Sequence, residues 1–372
     1  MNIPFNKPYL SGKELTYIAD ALSRGHLSGN GYYSQQCHQF FTHTYGFKKA
    51  LLTTSCTDAL EMAALLLDIQ PGDEVIMPSF TFVSTANAFE LRGAVIRFVD
   101  SQTDHPGMDA SLIAPLINEK TKAIVVVHYA GVACDMDAIM PLANAHDLFV
   151  VEDAAQAIDS YYKGRVLGSL GHLGAFSFHE TKNIQCGEGG LLTINDARFT
   201  ERAEILWEKG TNRSAFFRGE VDKYGWVDIG SSFLPSELNA AYLFGQLECL
   251  QDIQNRRKHI WERYHSALCD WATFHEIAQP KIPEHTTNNA HMYYVVCKDI
   301  EQRSSLIQHL KALDILAVFH YQSLHKSPYF KAKYTGEALA ESDRYSDCLL
   351  RLPLFYELDV DIVINALLAY EA

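Results

Sequence analysis

Between residues 50 and 195, short apolar runs alternate with stretches of helical period, and this alternation constrains the fold more than any other feature. Residues 74–78, 94–99, 123–127, 148–151, 174–178 and 190–194 read as strands. Residues 57–67 put Leu60, Ala63, Ala64 and Leu67 on one helical face, and 136–146 and 198–208 share that period. Pro71-Gly72-Asp73 is a turn ahead of the first of these strands. Strands separated by helices pair parallel rather than as hairpins, and a parallel sheet is covered on both faces. The expectation is an α/β fold.

The chain continues differently after that. Residues 236–271 keep a helical period with no Pro and only Gly245, which fits one connecting helix or two. Residues 292–297 and 315–319 read as strands flanking a helix at 304–313, and 361–370 reads as a final helix. We therefore expect a large α/β domain over 1–245 and a smaller α+β domain over 246–372. No Gly/Ser-rich or Pro-rich linker separates them, so firm packing is expected.

Composition removes several functions. The chain has 372 residues, 48% apolar and 20% charged, enough for a sizeable core without staples. A net charge of −14 argues against a general nucleic-acid binder and against docking on an anionic membrane. It leaves room for an anionic small ligand held by a local cluster of Arg and Lys. The eight cysteines form no CxxC pair and no His/Cys cluster with zinc spacing, so no metal site is expected. Scattered thiols suit a reducing compartment. No signal pattern opens the sequence, and no run of about 18 apolar residues suggests a membrane span. These features place the protein in the cytoplasm.

Three segments carry candidate chemistry. Thr53-Thr54-Ser55-Cys56-Thr57-Asp58 runs small hydroxyl residues into a helix start, where free amides and the helix dipole make an anion site. Alone, it reads more simply as a helix cap on Ser55 or Thr57. Val150-Val151-Glu152-Asp153-Ala154-Ala155-Gln156 ends an apolar strand in two acids, and in open parallel sheets ligands bind beyond the carboxyl ends of the strands. A cap for the following helix is the plainer alternative. Phe176-Ser177-Phe178-His179-Glu180-Thr181-Lys182-Asn183 leads into Gly187-Glu188-Gly189-Gly190. A lysine held just past a buried strand loses hydration, which lowers its pKa and makes it a nucleophile for Schiff-base chemistry. Most lysines are instead solvated surface charges.

The three gain meaning together. Pyridoxal phosphate requires a phosphate cradle, an acid for its ring nitrogen and a Schiff-base lysine. Here they follow in that order, with 29 residues between Asp153 and Lys182, room for one strand and its turns. Pro78-Ser79-Phe80-Thr81-Phe82 adds an aromatic that could cover the cofactor ring, although core packing explains Phe82 equally.

These segments, with Ile3-Pro4-Phe5, Val83 through Ala88, Val127-His128-Tyr129-Ala130-Gly131 and Leu352-Pro353-Leu354-Phe355, resemble the DegT–DnrJ–StrS sugar aminotransferases over nearly the whole chain. The resemblance implies a fold-type I pyridoxal-phosphate enzyme with a mostly parallel, seven-stranded sheet. It implies that Lys182 holds the cofactor, Asp153 pairs with the ring nitrogen, Gln156 approaches the ring hydroxyl and Phe82 stacks on the ring. Cys56, Thr57 and Ser177 would bind the phosphate. Many members place an Asn of the neighbouring subunit on that phosphate, and in Gly230-Ser231-Ser232-Phe233 the shorter Ser232 takes that slot. The implied substrates are L-glutamate and a dTDP-linked keto sugar, and the implied assembly is a homodimer with shared active sites. A branch with His at the lysine position removes a sugar hydroxyl instead, so Lys182 implies transamination.

Arg213, Arg218 and Lys223 form a basic stretch with Phe216, Phe217 and Tyr224, and we take it as a candidate for the sugar nucleotide. A solvated loop is the plainer alternative. His320, Tyr321 and His325 are further candidates for the site. A related sugar aminotransferase with another keto position, stereochemistry or nucleotide stays open, as do two other classes: a non-catalytic regulator on the same fold, and a nicotinamide enzyme. Against the second, the glycines of 168–174 lack GxGxxG spacing.

Overall fold

The computed structural model describes residues 2–371. Two helices open the chain, α1 (Glu14–Ser23) and α2 (Tyr32–Tyr45). The large domain then runs β1 (Lys49–Thr53), α3 (Cys56–Leu66), β2 (Glu74–Pro78), α4 (Val83–Glu90), β3 (Val95–Val99), β4 (Thr121–Val127), α5 (Met136–Ala145) and β5 (Phe149–Asp153). A small hairpin, β6 (Tyr161–Tyr162) and β7 (Arg165–Val166), precedes β8 (Leu173–Ser177) and β9 (Gly190–Ile194). Next come α6 (Thr200–Trp207), α7 (Arg213–Phe217), α8 (Glu237–Leu247), α9 (Leu250–Ala267) and α10 (Cys269–Phe274). The last elements are β10 (Tyr293–Val296), α11 (Ile300–Ala312), β11 (Val318–Phe319), α12 (Ala340–Cys348), β12 (Leu349–Leu352) and α13 (Val360–Leu368).

The main sheet has seven strands in the order β1-β9-β8-β5-β4-β2-β3. Its neighbours pair parallel except β9, which runs antiparallel to both β1 and β8. One face of the sheet buries Leu52, Ile76, Val126 and Val150 with residues of α2, α5 and α8. The other buries Val75, Val125 and Val151 with Leu60, Ala63, Phe89 and Leu206 of α3, α4 and α6. Alternate side chains of each strand thus enter opposite layers, as the pleat dictates. Helix starts are fixed by side-chain caps: Ser55, Asp135, Ser236 and Asp299 accept from amides of α3, α5, α8 and α11.

The smaller sheet has three strands in the order β10-β12-β11. Its core joins Tyr293, Val295, Leu350 and Leu352 to Leu306, Val363 and Leu367 of α11 and α13. The long stretch 236–271 is three helices, broken at Glu248-Cys249 and at Leu268. The middle one, α9, sends Ile253 into the large-domain core and Ile260 and Tyr264 into the small-domain core. A further cluster of Phe80, Tyr129, Met292, Tyr294 and Tyr345 seals the two domains together. Helix 304–313 begins earlier than its period suggests, because Asp299 caps it. Strand 315–319 is shorter, because Ile315 instead bridges to Ile3.

Candidate active site

Strand β5 delivers its two terminal acids to opposite faces. Glu152 shares a face with Val150 and is fully buried. Its carboxylate accepts from the amides of Gly168 (2.7 Å), Leu170 (2.6 Å) and Gly171 (2.6 Å), and lies 2.9 Å from His128 Nε2. The glycine-rich run 168–174 is therefore a nest of amides for Glu152. Cys134 N–H donates to His128 Nδ1 (3.2 Å), so Nε2 carries the proton toward Glu152.

Asp153 emerges on the other face, at the carboxyl end of the strand, beside a cavity of about 950 Å³. Its Oδ2 accepts from Thr85 Oγ1 on α4 (2.7 Å) and its Oδ1 from the Ala155 amide (3.2 Å). Burial pushes the Asp153 carboxyl above its ordinary range, and those two hydrogen bonds pull it back. Gln156 is buried: its Oε1 accepts from Ala130 N–H (2.6 Å) and its Nε2 donates to Tyr321 OH (2.9 Å). Phe82 caps α4 without being core, for it is 54% exposed and lines the cavity.

Lys182 sits on the loop joining β8 to β9. Phe178 and Gly189, Phe178 and Cys186, and Glu180 and Gly187 close that loop by backbone hydrogen bonds. Asn183, next to the lysine, donates to Gln254 Oε1 and to the Asn289 carbonyl (both 2.8 Å), which clamps the loop to α9 and the small domain. Lys182 lines the cavity, and its Nζ has no hydrogen-bond partner among the described residues. Burial holds the Lys182 amine below its usual range, opposed by the nearby Cys56 thiol and Asp153 carboxylate.

Helix α3 points its start at the same space. Ser55 caps it by accepting from Asp58 N–H (3.1 Å), so the amides of Cys56 and Thr57 stay free. Thr57 Oγ1 donates to Ser84 Oγ (2.8 Å), and Ser55, Cys56, Thr57, Ser84 and Ser177 line the cavity. Gly190 makes this possible: a Cβ there would lie 2.3 Å from the Ser55 carbonyl carbon and 2.5 Å from Cys56 N. Only glycine lets β9 pass so close to the helix start.

The far wall comes from the small domain. His291, His320, Tyr321 and Arg351 line it. His320 Nδ1 lies 2.6 Å from Tyr129 OH, and its ring stacks on Tyr321 at 3.5 Å. His291 Nδ1 lies 2.9 Å from Asn183 Oδ1. Burial keeps both imidazoles neutral. His325 does not line the cavity; it binds Ser79 Oγ (2.8 Å). Arg213, Arg218, Lys223 and Ser232 are exposed and outside the cavity of their own chain. Arg218 is held by Glu204 (2.8 Å) and Glu220 (2.7 Å). Sequence reasoning missed Thr85, Asn183, His291 and Arg351. Of these only Thr85 had a signal, as the hydroxyl one turn after Thr81.

A desolvated lysine, a strand-end carboxylate and a helix start with free amides around one cavity, on a fold of this topology, match a fold-type I pyridoxal-phosphate aminotransferase. The sequence pattern of the DegT/DnrJ/EryC1/StrS aminotransferase family matches residues 8–368, and the chain belongs to that family. Among solved structures it is similar to the aminotransferase TlmJ from Streptoalloteichus hindustanus, at 29% identity and TM-score 0.90, covering 99% of this chain and 98% of that one. It is similar to S. venezuelae DesV in complex with a ketimine intermediate, at 31% identity and TM-score 0.89, covering 98% and 97%. It also matches Spr1654 from Streptococcus pneumoniae in its PMP form, at 27% identity and TM-score 0.90, covering 98% of each chain. The protein is a sugar aminotransferase, and its cofactor is pyridoxal 5'-phosphate. The residues present fit that group: Gly190 leaves a cradle that a Cβ would fill, Lys182 has an uncommitted amine, and Asp153 is a buried carboxylate needing a cation. No helix among the described residues is long and apolar enough to cross a membrane.

Proposed function

We propose that this enzyme moves the amino group of L-glutamate to C4 of dTDP-4-keto-6-deoxy-D-glucose, giving dTDP-4-amino-4,6-dideoxy-D-galactose and 2-oxoglutarate. The observation that carries the chemistry is the uncommitted, desolvated amine of Lys182 in the same cavity as the Asp153 carboxylate. The choice of sugar is supported by the stretch Glu208-Lys209-Gly210-Thr211-Asn212-Arg213-Ser214-Ala215-Phe216-Phe217-Arg218-Gly219. It looks like that of the dTDP-4-amino-4,6-dideoxygalactose transaminase of enterobacterial common antigen synthesis.

Pyridoxal phosphate, when bound, supplies an electron sink for the charge left when a C–H bond beside an amine breaks. Lys182 would carry it through its amine. Once displaced, the same amine takes the α-proton of the donor as a base and returns it as an acid. Its lowered pKa keeps the neutral base available nearer neutrality. Asp153 would face the ring nitrogen, where its charge keeps a proton in place, and the hydrogen bonds from Thr85 and Ala155 keep Asp153 ionised. Gln156 would meet the ring hydroxyl, and Phe82 would cover one ring face. The free amides of Cys56 and Thr57, with the Thr57 and Ser177 hydroxyls, would hold the phosphate.

We further propose a cytoplasmic homodimer with shared sites, in which Ser232 reaches the neighbour's phosphate and Arg213, Arg218 and Lys223 meet its sugar nucleotide. In support, this stretch is exposed in its own chain and bears Phe217, Trp226, Val227 and Ile229 at the surface. The test of the function is to mix the purified holoenzyme with L-glutamate and dTDP-4-keto-6-deoxyglucose and read the product by NMR. The expected spectrum shows an amine at C4 in the galacto configuration and equimolar 2-oxoglutarate. An amine at another carbon, or the gluco epimer, overturns the substrate assignment. No amino sugar from any keto sugar nucleotide overturns catalysis.

A further inference from the structure

The polar groups of the small-domain wall are hydrogen-bond donors with one exception. Arg351 has only N–H groups to offer. Tyr321 OH accepts from Gln156 Nε2 (2.9 Å), which leaves its own hydrogen to place. The Tyr129 phenol is fully buried and meets only His320 Nδ1 (2.6 Å) among the described residues. A buried O–H left without an acceptor is costly, so Tyr129 donates, His320 Nδ1 accepts, and His320 carries its proton on Nε2.

His291 has the opposite tautomer. Asn183 Nδ2 donates to the Asn289 carbonyl (2.8 Å), which can only accept, so Oδ1 is the atom that Asn183 turns to His291 Nδ1 (2.9 Å). His291 Nδ1 therefore carries the proton, and Nε2 keeps a bare lone pair. No described residue donates to it. The side chain is 8% exposed and lines the cavity. Its backbone is pinned as firmly: Arg257 donates to the His291 carbonyl (2.7 Å), and the His291 amide donates to Asn289 Oδ1 (3.0 Å). By its chain His291 belongs to the small domain. By its ring it is bound to the residue that follows Lys182.

A fixed acceptor inside a cavity needs a donor. Lys182 supplies one in each half-cycle, because the amine that takes a proton from carbon becomes an ammonium with only N–H donors. Lys182 Nζ has no partner among the described residues, and the Asp153 oxygens are engaged by Thr85 (2.7 Å) and Ala155 (3.2 Å). We propose that His291 Nε2 accepts a hydrogen bond from the Lys182 ammonium and holds it in place between taking the proton and returning it. The inference rests on the transamination reading given above. His291 is then a positioning residue, acting through Lys182. Burial first, and the Lys182 charge after it, hold the His291 imidazole well below its ordinary pKa. It receives the hydrogen bond without removing the proton. A sugar hydroxyl is the competing donor, and the two are separable: Lys182 works in both half-reactions, the sugar in one.

The test divides the ring between two variants. His291→Asn keeps a donor near Nδ1 for Asn183 and removes the Nε2 acceptor. His291→Gln keeps an acceptor near Nε2 and gives up the bond to Asn183. The visible absorbance of the bound cofactor is followed in single turnovers of the holoenzyme with saturating L-glutamate or, in the opposite sense of the cycle, with the amino sugar nucleotide. His291→Asn should slow both half-reactions equally, by about 100-fold, the cost of a misplaced reacting group. Apparent affinities should stay within about threefold, and cofactor content should not change. His291→Gln should recover about tenfold of the loss. The slowed step is the proton transfer, so L-glutamate deuterated at Cα should show an isotope effect at least as large as in the wild type. Apart from turnover, nitrogen-15 NMR of histidine-labelled apoenzyme, assigned by the signals that His291→Gln removes, should place the His291 proton on Nδ1. Loss confined to one half-reaction, no loss, lost cofactor, no recovery in His291→Gln, a smaller isotope effect, or a proton on Nε2 overturns the proposal. A wild-type holoenzyme that keeps its colour but is not bleached by L-glutamate overturns instead the reading on which it rests.

Discussion

The two walls of the cavity are built by different means. On the large-domain wall most groups stand at the end of a regular element: Asp153 and Ser177 end β5 and β8, Cys56 and Thr57 begin α3, and Phe82 caps α4, while Gln156 and Lys182 lie on the loops that leave β5 and β8. Their positions are set by the backbone ladders of the sheet, which leave little freedom. Of His291, His320, Tyr321 and Arg351 on the small-domain wall, only Arg351 belongs to a strand. His291 precedes β10, and His320 and Tyr321 follow β11. Tyr321 sits at φ +55° and Ala130, which donates to Gln156, at φ +56°. Each such left-handed residue costs roughly 1–2 kcal/mol. Three side-chain contacts tie the walls together, Gln156 to Tyr321 (2.9 Å), Tyr129 to His320 (2.6 Å) and Asn183 to His291 (2.9 Å). The contrast matches the work. Bond-breaking steps recur at fixed atoms every half-cycle, whereas the other wall meets an amino acid and a sugar in turn.

The comparison breaks most visibly if the large-domain wall tolerates change. Lys182→Ala should lower kcat on the order of 10⁵-fold and abolish the colour of the loaded enzyme, with an unchanged circular dichroism spectrum. Asp153→Asn keeps the shape and still accepts from Thr85, but it offers no charge; single-turnover rates should fall about 10²–10³-fold with the cofactor still bound. Thr85→Val is milder and gives the sign of the electrostatics. Its hydroxyl holds the Asp153 carboxyl down against burial, so its loss moves that pKa further up. The ionised form is the active one, and activity should therefore begin to fail at a higher pH as acid is added. The measurement is kcat against pH: the acid limb moves to higher pH while the alkaline plateau holds within about threefold.

How far the sequence exposes each wall follows from the same contrast. Asp153, Lys182 and the Ser55–Thr57 turn stand beside apolar runs that announce a strand or helix end, so their place can be read from a dozen consecutive residues. Arg351 interrupts such a run in Leu349-Leu350-Arg351-Leu352, where a charge suggests solvent, and only the fold reveals that it is half-buried against Phe5 and faces the cavity. The helix α2, Tyr32–Tyr45, is rich in Tyr, Thr and Phe, which form helices poorly, and it is stabilised by Tyr33, Cys37 and Phe41 entering the core. The five residues of β1 are too short for a period to show. The basic residues 213, 218 and 223 mark the opposite failure. Charge alone suggests a ligand, and within one chain Arg218 finds Glu204 and Glu220 instead.

Gly190→Ala tests whether backbone approach, rather than any side chain, sets the phosphate end of the rigid wall. The new Cβ would meet Ser55 at 2.3 Å and its carbonyl oxygen at 2.4 Å. Either β9 or the start of α3 must move, and the amides of Cys56 and Thr57 move with it. Cofactor titration of the apoenzyme should show a dissociation constant raised about 10–100-fold, from the loss of two or three aligned donors. An unchanged constant would mean that side-chain hydroxyls, not amides, hold the phosphate.

Tyr321→Phe should have the smallest effect and sharpens the contrast from the other side. The ring keeps its stack on His320, and the left-handed backbone is unaltered, so only the acceptor for Gln156 Nε2 is lost. One neutral hydrogen bond is worth about 1 kcal/mol, or roughly fivefold. If the small-domain wall adapts to its substrate, that loss should fall on the KM of the keto sugar nucleotide and leave the L-glutamate half-reaction and its bleaching rate within twofold. A Tyr321→Phe enzyme as impaired as Asp153→Asn, in both half-reactions, would mean that the Gln156–Tyr321 contact fixes the cofactor itself. The two walls would then be one rigid shell, and the backbone strain at Tyr321 would serve the bond-breaking step rather than the choice of substrate.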